Sequence, residues 1–110
     1  MKLRATLLIL CLSLAAPAGA QKSPAEVTDA QIKEYKGIAE NACRDSGKSR
    51  GDPPEKVAAF CKCMTGVFEK NMSRSEWQQV YFHSRNNRAA EEENVLGPHL
   101  SKVRACRQPG

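Results

Sequence analysis

The sequence is poor in the side chains from which most active sites are built. It has only two histidines, His83 and His99, and no Ser/His/Asp or paired-carboxylate arrangement is readable in it. Gly47-Lys48-Ser49 lacks the upstream glycine and the preceding strand of a phosphate-binding loop, which argues against nucleotide binding. These absences predict a protein that is not an enzyme and that needs no cofactor.

Strand patterns and long apolar runs are also missing. No stretch alternates between apolar and polar residues with a period of two, which argues against a β-sheet fold. Beyond the first 20 residues, no apolar run is long enough to cross a membrane. The basic residues are scattered among acidic ones without aromatic interleaving, so we expect no nucleic-acid binding.

The first 20 residues have the features of an export signal. Lys2 and Arg4 precede the apolar run at 7–14, and Ala18-Gly19-Ala20 is an A-x-A cleavage site. Cleavage after Ala20 leaves 15 basic and 12 acidic residues, a net charge of +3. We therefore predict a periplasmic or secreted protein that is not stably inserted in the membrane after cleavage.

Cysteine usage points to a disulfide framework. Cleavage removes Cys11, and an even number of cysteines in a small exported chain is typical of structural disulfides. Residues 61 and 63, two positions apart on a helix, point about 200° apart and cannot bond each other. Two pairings stay open: Cys43–Cys61 with Cys63–Cys106, or Cys43–Cys63 with Cys61–Cys106.

Capping signals and apolar periodicity predict three to four short helices. A capping box at 28–31 opens the first helix, which should end near Asp45. Asp52 is the expected N-cap of the central helix, and a capping box at 73–76 opens the third. Gly97-Pro98 should interrupt the helical pattern, with Pro98 as the first residue of a last short helix.

Together these signals predict an all-α fold, a small bundle of three to four short helices stapled by two disulfides. After a signal peptide at 1–20 and a disordered lead-in at 21–27, a single domain should span residues 28–107. The expected buried face of the third helix is Trp77, Val80, Tyr81 and Ser84. Phe82 falls on the other side, where we expect it to pack under residues 86–97, the alternative being exposure as a partner contact.

Soft-metal binding or redox chemistry is the alternative to structural disulfides as the role of the cysteines. The candidate ligands are Cys61, Cys63, Met64, His83 and His99. No pair among them has zinc-finger spacing, and the two cysteines lie two turns into a helix instead of at its N-terminus. The pattern therefore favours structural cysteines and no metal site.

The layout of Cys43, Cys61-x-Cys63, a capped helix carrying Trp77, and a final Cys106 resembles small periplasmic helical proteins of proteobacteria that carry no known activity. The resemblance implies an envelope location and transfers no functional residue. We expect a non-catalytic binding or structural protein with a protein partner. The alternatives are a thiol-based soft-metal-binding or redox protein using Cys61 and Cys63, and an immunity or inhibitor protein for a secreted enzyme.

Overall fold

The computed structural model describes residues 22–107 of the 110-residue chain. Within this range it contains four α-helices and no strand, which confirms the all-α prediction. The helices are α1 (Asp29–Ser49), α2 (Pro54–Asn71), α3 (Arg74–Arg85) and α4 (Ala89–Arg104), with short 3-10 turns at Pro24–Glu26 and Ala105–Arg107. The predicted signal peptide and its cleavage site lie outside the described residues.

The four helices pack as two pairs. α1 lies along α2 and α3 lies along α4, while α1–α3 and α2–α4 contacts join the pairs. The backbones of α1 and α4 do not approach each other, so these helices occupy opposite positions in the bundle. None of the helices within residues 22–107 is long and apolar enough to span a membrane.

Two disulfides tie this arrangement together through α2. Cys43–Cys61 joins α1 to α2, and Cys63–Cys106 joins α2 to the turn that follows α4, with Cα–Cα distances of 5.9 and 5.8 Å. Both distances lie within the range that disulfides adopt. The prediction that Cys61 and Cys63 do not bond each other but form disulfides with two different parts of the chain is confirmed. The structure selects one of the two pairings that the sequence left open.

Reciprocal capping begins α1 and α3, as predicted. The backbone N–H of Gln31 donates to Thr28 Oγ1 at 3.2 Å, and the N–H of Thr28 donates to the Gln31 side chain at 2.9 Å. Ser73 and Glu76 repeat the pattern at 3.1 and 2.9 Å. Each cap satisfies two N–H groups that the helix leaves unpaired, and its loss costs about 1 kcal/mol.

The predicted boundaries between α1 and α2 are wrong. α1 extends to Ser49, four residues beyond Asp45, because the left-handed residue that closes it is Gly51, with φ +80°. Asp52 does not cap α2, which begins at Pro54 without a side-chain cap. The Asp52 carboxylate instead forms an ion pair with the Arg50 guanidinium at 3.0 Å.

The predicted break at Gly97-Pro98 is also wrong. α4 is continuous from Ala89 to Arg104 with Pro98 inside it. Pro98 removes one helical hydrogen bond, but the chain is held on both sides of it. Val95 and Leu96 pack against the core before the proline, and Val103 is buried after it. Packing on both sides outweighs the lost bond.

The lead-in is ordered in its described part, residues 22–27, which corrects the prediction of disorder there. Pro24–Glu26 forms one 3-10 turn against α3, and the side chain of Val27 is buried. Gln78 donates to the carbonyl of Val27 at 3.0 Å. The domain therefore begins before Thr28, because Val27 belongs to its core.

The core lies where α3 meets α1, α4 and the lead-in. Its buried members are Val27, Ile32, Met72, Trp77, Val80, Tyr81 and Phe82. The prediction for the face of α3 is wrong at Ser84, which is exposed, whereas the expected packing of Phe82 is confirmed, since its side chain is 8% exposed. α4 packs along α3, and the Arg88 guanidinium lies 6.0 Å from the centre of the Phe82 ring. Phe82 is thus a core residue and not an exposed partner contact.

Candidate functional site

An apolar groove of about 550 Å³ lies between α1 and α4, and we call it the α1–α4 groove. Its floor is a row of side chains four residues apart on α2, namely Phe60, Met64 and Phe68. The side chains that line its two walls are Ile38, Ala39 and Ala42 from α1 and Leu96 and Leu100 from α4. The groove is partly open to solvent.

The groove exists because α3 is too short to cover α1. At 1.5 Å per residue, the 12 residues of α3 span about 18 Å and the 21 residues of α1 about 31 Å. An ion pair between Arg74 and Asp29, and the packing of Trp77 against Tyr35 and Lys36, place α3 beside the first half of α1. The second half faces α4 across open space.

Both walls expose large apolar side chains. Ile38 is 56% exposed and Leu100 is 39% exposed, and they stand on opposite walls of the same groove. Single exposed apolar residues are common on protein surfaces, but two that flank the same apolar groove make it a candidate interaction site. The groove is therefore the best candidate for a functional surface in the described part of the chain.

The end of the groove near Phe68 is closed by an aromatic and acidic group. The Tyr35 hydroxyl donates to the carboxylate of Glu92, and the Tyr35 ring meets Trp77 edge-on at 6.2 Å. Burial raises the pKa of the Tyr35 phenol, and the hydrogen bond to Glu92 acts in the same direction. The Tyr35 and Glu92 side chains at this end hydrogen-bond to each other, and the Glu92 carboxylate gives the end a negative charge.

The other end of the groove, near Phe60, is basic. The Arg107 guanidinium lies 4.5 Å from the centre of the Phe60 ring. The other charged groove residues are hydrogen-bonded or paired: Lys36 with Glu69 at 2.9 Å, Glu40 with Arg44 at 2.9 Å, Arg50 with Asp52 at 3.0 Å, and Glu92 with Tyr35. Arg107 has no carboxylate partner among the described residues. Its five N–H donors are available to a ligand.

The candidate metal ligands of the alternative interpretation make separate contacts. Cys61 and Cys63 belong to different disulfides, and Met64 lies on the groove floor. His99 faces Glu76 at 3.2 Å, whereas the ring of His83 meets Phe82 edge-on at 5.7 Å. Residues 22–107 contain no group of three or more His, Cys, Asp or Glu side chains placed to hold a metal ion. A thiolate site at Cys61 and Cys63 would require both disulfides to be reduced.

Sequence reasoning missed the groove. Glu76 was identified as a helix cap, and its contact with His99 was not foreseen. Hydrogen bonding to the Ser73 backbone, followed by that to His99, lowers the pKa of Glu76. The signal that could have revealed the groove is the difference in length between the first and third helices.

No family model, curated protein or solved structure matches this chain. Its function is therefore inferred from the geometry and chemistry of the α1–α4 groove.

Proposed function

We propose that this chain is an exported, disulfide-stapled binding protein that holds an apolar ligand in the α1–α4 groove. The observation that carries the proposal is the groove itself, with a volume of about 550 Å³ and apolar side chains on its floor and both walls. Ligand sites typically measure roughly 300–1,000 Å³ and are lined mainly by apolar side chains with a few polar groups. No catalytic chemistry is required of the groove in this role.

The energetic gain comes from covering surface that the fold leaves exposed. Removing about 200 Å² of apolar surface from water at about 25 cal/mol per Å² contributes roughly 5 kcal/mol. The costs of association and of ordering the ligand reduce this gain, so modest affinity is expected from the apolar contact alone. The exposed side chains of Ile38 and Leu100 provide the wall surfaces that a ligand would cover.

The proposed location is outside the cytoplasm, in the periplasm or the medium. The N-terminal features at 1–20 support it, as does the use of Cys43, Cys61, Cys63 and Cys106 in two disulfides. Disulfides form and persist in oxidising compartments and are rare in the cytosol. Oxidation of these cysteines also weighs against the thiol-based metal-binding or redox alternative.

A protein partner is the second candidate occupant. Ile38 and Leu100 rise on opposite walls, and an amphipathic helix could cover both by laying its apolar face in the groove. An immunity or inhibitor protein for a secreted enzyme would act in this way. The volume between the walls favours the small apolar ligand, because a helix resting on the walls would leave that volume unfilled.

Titration with N-phenyl-1-naphthylamine, a neutral apolar fluorophore, tests the proposal on the oxidised protein. The probe should fluoresce on binding and quench the chain's single tryptophan, Trp77, which lines the groove. Leu100→Glu places a carboxylate on the α4 wall and should weaken binding by about tenfold or more, since burying an unpaired charge is costly. Ser101→Glu adds the same charge at the neighbouring exposed position and should leave binding unchanged.

The α1 wall offers a second matched pair. Ile38→Glu should weaken binding of the fluorophore, whereas Asn41→Glu, exposed on the same helix and outside the groove lining, should not. Circular dichroism melts establish that all four variants are folded. Absence of probe binding by the wild-type protein, or equal binding by the wall variants and their controls, would rule out the groove as the ligand site.

A further inference from the structure

The geometry points to a free, single-chain carboxylate amphiphile of about ten to twelve carbons as the ligand of the α1–α4 groove. This inference rests on the proposed function and adds the chemical class of the ligand. It follows from three features of the groove: the length of its floor, a cation at one end that has no carboxylate partner among residues 22–107, and the acidic, closed character of the other end. Each feature constrains a different part of the ligand.

The floor sets the length of the apolar chain. Phe60, Met64 and Phe68 form a single row that covers eight residues of helix, or about 12 Å. A C–C bond of about 1.5 Å at an angle of about 111° advances an extended hydrocarbon chain by about 1.25 Å. About ten such bonds therefore fill the row from end to end. A row one side chain wide suits one hydrocarbon chain.

Arg107 sets the position and charge of the head group. Its guanidinium stacks over Phe60, the first side chain of the floor, at 4.5 Å from the ring centre. No carboxylate among the described residues neutralises it. A guanidinium binds a carboxylate through two parallel N–H···O bonds, which are stronger than bonds between neutral groups. An anionic head group would pair with the exposed guanidinium of Arg107 while its chain covers Phe60.

The opposite end of the groove fixes the orientation of the ligand. Next to Phe68, the Glu92 carboxylate accepts from Tyr35, and the charge of Lys36 is matched by Glu69 at 2.9 Å. A second anion there would meet the negative charge of Glu92 without a free cation to balance it. The methyl end of the chain therefore points toward Trp77, and the carboxylate lies beside Arg107.

Displacement of N-phenyl-1-naphthylamine by three amphiphiles with the same twelve-carbon chain tests the inference on the oxidised protein. The competitors are dodecanoate, dodecanol and dodecyltrimethylammonium, each kept below its micelle-forming concentration. Dodecanoate should bind about tenfold more tightly than dodecanol, as expected for one charge-assisted contact, and the cation should bind most weakly.

Arg107→Gln should lower the affinity for dodecanoate about tenfold and leave the affinity for dodecanol unchanged. Arg104→Gln removes the same charge from an exposed position outside the groove lining and should alter neither affinity. If the Arg107 variant does not fold, the ranking of the three head groups on the wild-type protein decides the question by itself.

The outcomes separate the inference from the proposed function. Fluorophore binding with equal displacement by all three amphiphiles, and no effect of Arg107→Gln, would overturn the inference while the apolar binding site stands. Failure of the fluorophore to bind would overturn both. A ligand-free protein that sediments as a dimer, and becomes a monomer in the Ile38→Glu variant, would assign the groove to a second copy of the chain and would also overturn the inference.

Discussion

Substitution of Gly47 by alanine tests a close approach between α1 and α2. Gly47 is buried in α1, and a Cβ atom added to it would lie 2.7 Å from Val57 Cγ2 and 3.0 Å from Val57 Cγ1. Real Cβ atoms are essentially never found closer than 3.0 Å to such a neighbour. Val57 is β-branched and confined to one preferred rotamer in a helix, so it cannot rotate away cheaply. Gly47→Ala must therefore push the two helices apart.

The expected loss of stability combines two opposing effects. Overpacking a close contact costs about 1–3 kcal/mol, while alanine in place of glycine inside a helix gains about 0.5–1 kcal/mol. The Cys43–Cys61 disulfide lies one turn from Gly47 and restrains the relaxation that would lower the cost. We expect a net destabilisation of about 1–2 kcal/mol. Gly37→Ala is the matched control, because a methyl group added there would have no neighbouring atom within 4 Å. That variant should stabilise the protein by about 0.5–1 kcal/mol.

Urea denaturation of the oxidised proteins, followed by circular dichroism, measures both changes. For a domain of this size, 1 kcal/mol corresponds to about 4–8 °C in Tm, so thermal melts provide a second readout. Adding Val57→Ala should recover part of the loss in the Gly47→Ala background, and the coupling measures the clash directly. The reasoning is refuted if Gly47→Ala stabilises the protein as much as Gly37→Ala does.

Three further predictions concern the disulfides, a carboxylate and the N-terminus. Replacing both cysteines of the α1–α2 disulfide by alanine should lower the free energy of unfolding by about 3 kcal/mol, and replacing both cysteines of the Cys63–Cys106 disulfide should lower it by about 4 kcal/mol. The difference arises because the sequence separations are 18 and 43. Equal or negligible losses in urea denaturation would contradict this. Because the pKa of Glu76 is lowered in the folded protein, its contribution to stability is present above its usual value of 4.5 and is lost as the pH falls through the lower folded pKa. Glu76→Gln keeps the helix cap and should reduce the acid-dependent loss of stability, measured as the urea midpoint at about pH 6 and pH 3. N-terminal sequencing of the protein from a periplasmic extract should begin at Gln21, and an intact Met1 in that fraction would contradict the predicted export signal.

Features that depend on residues close in sequence could be predicted. The capping boxes at Thr28 and Ser73 need only a partner three residues away, so the starts of α1 and α3 were correct. The orientation of the cysteines in Cys61-x-Cys63 follows from helical geometry alone. Asp52 was misassigned because Arg50, two residues earlier, binds its carboxylate.

Features that depend on the opposing element could not be predicted. Pro98 was misread because the sequence does not show that both ends of α4 are anchored by packing. For Phe82 the sequence could only favour packing over exposure, because it does not show that α4 packs along α3. The groove was missed for a related reason. Ile38 and Leu100 occupy ordinary apolar positions of amphipathic helices, and their exposure becomes evident only when α1 and α4 are placed opposite each other with a short α3.

The disulfides explain how so small a domain keeps an apolar groove open. Burying Ile38 and Leu100 against each other would stabilise the chain, and in a bundle held only by apolar packing α1 and α4 would move together. Each disulfide instead ties one side of the groove to α2, and no covalent bond joins α1 to α4 within the described residues. The two cross-links thus replace stability that the open groove gives up, while they fix the spacing of its walls. In the proposed role, this arrangement keeps the apolar site available to a ligand.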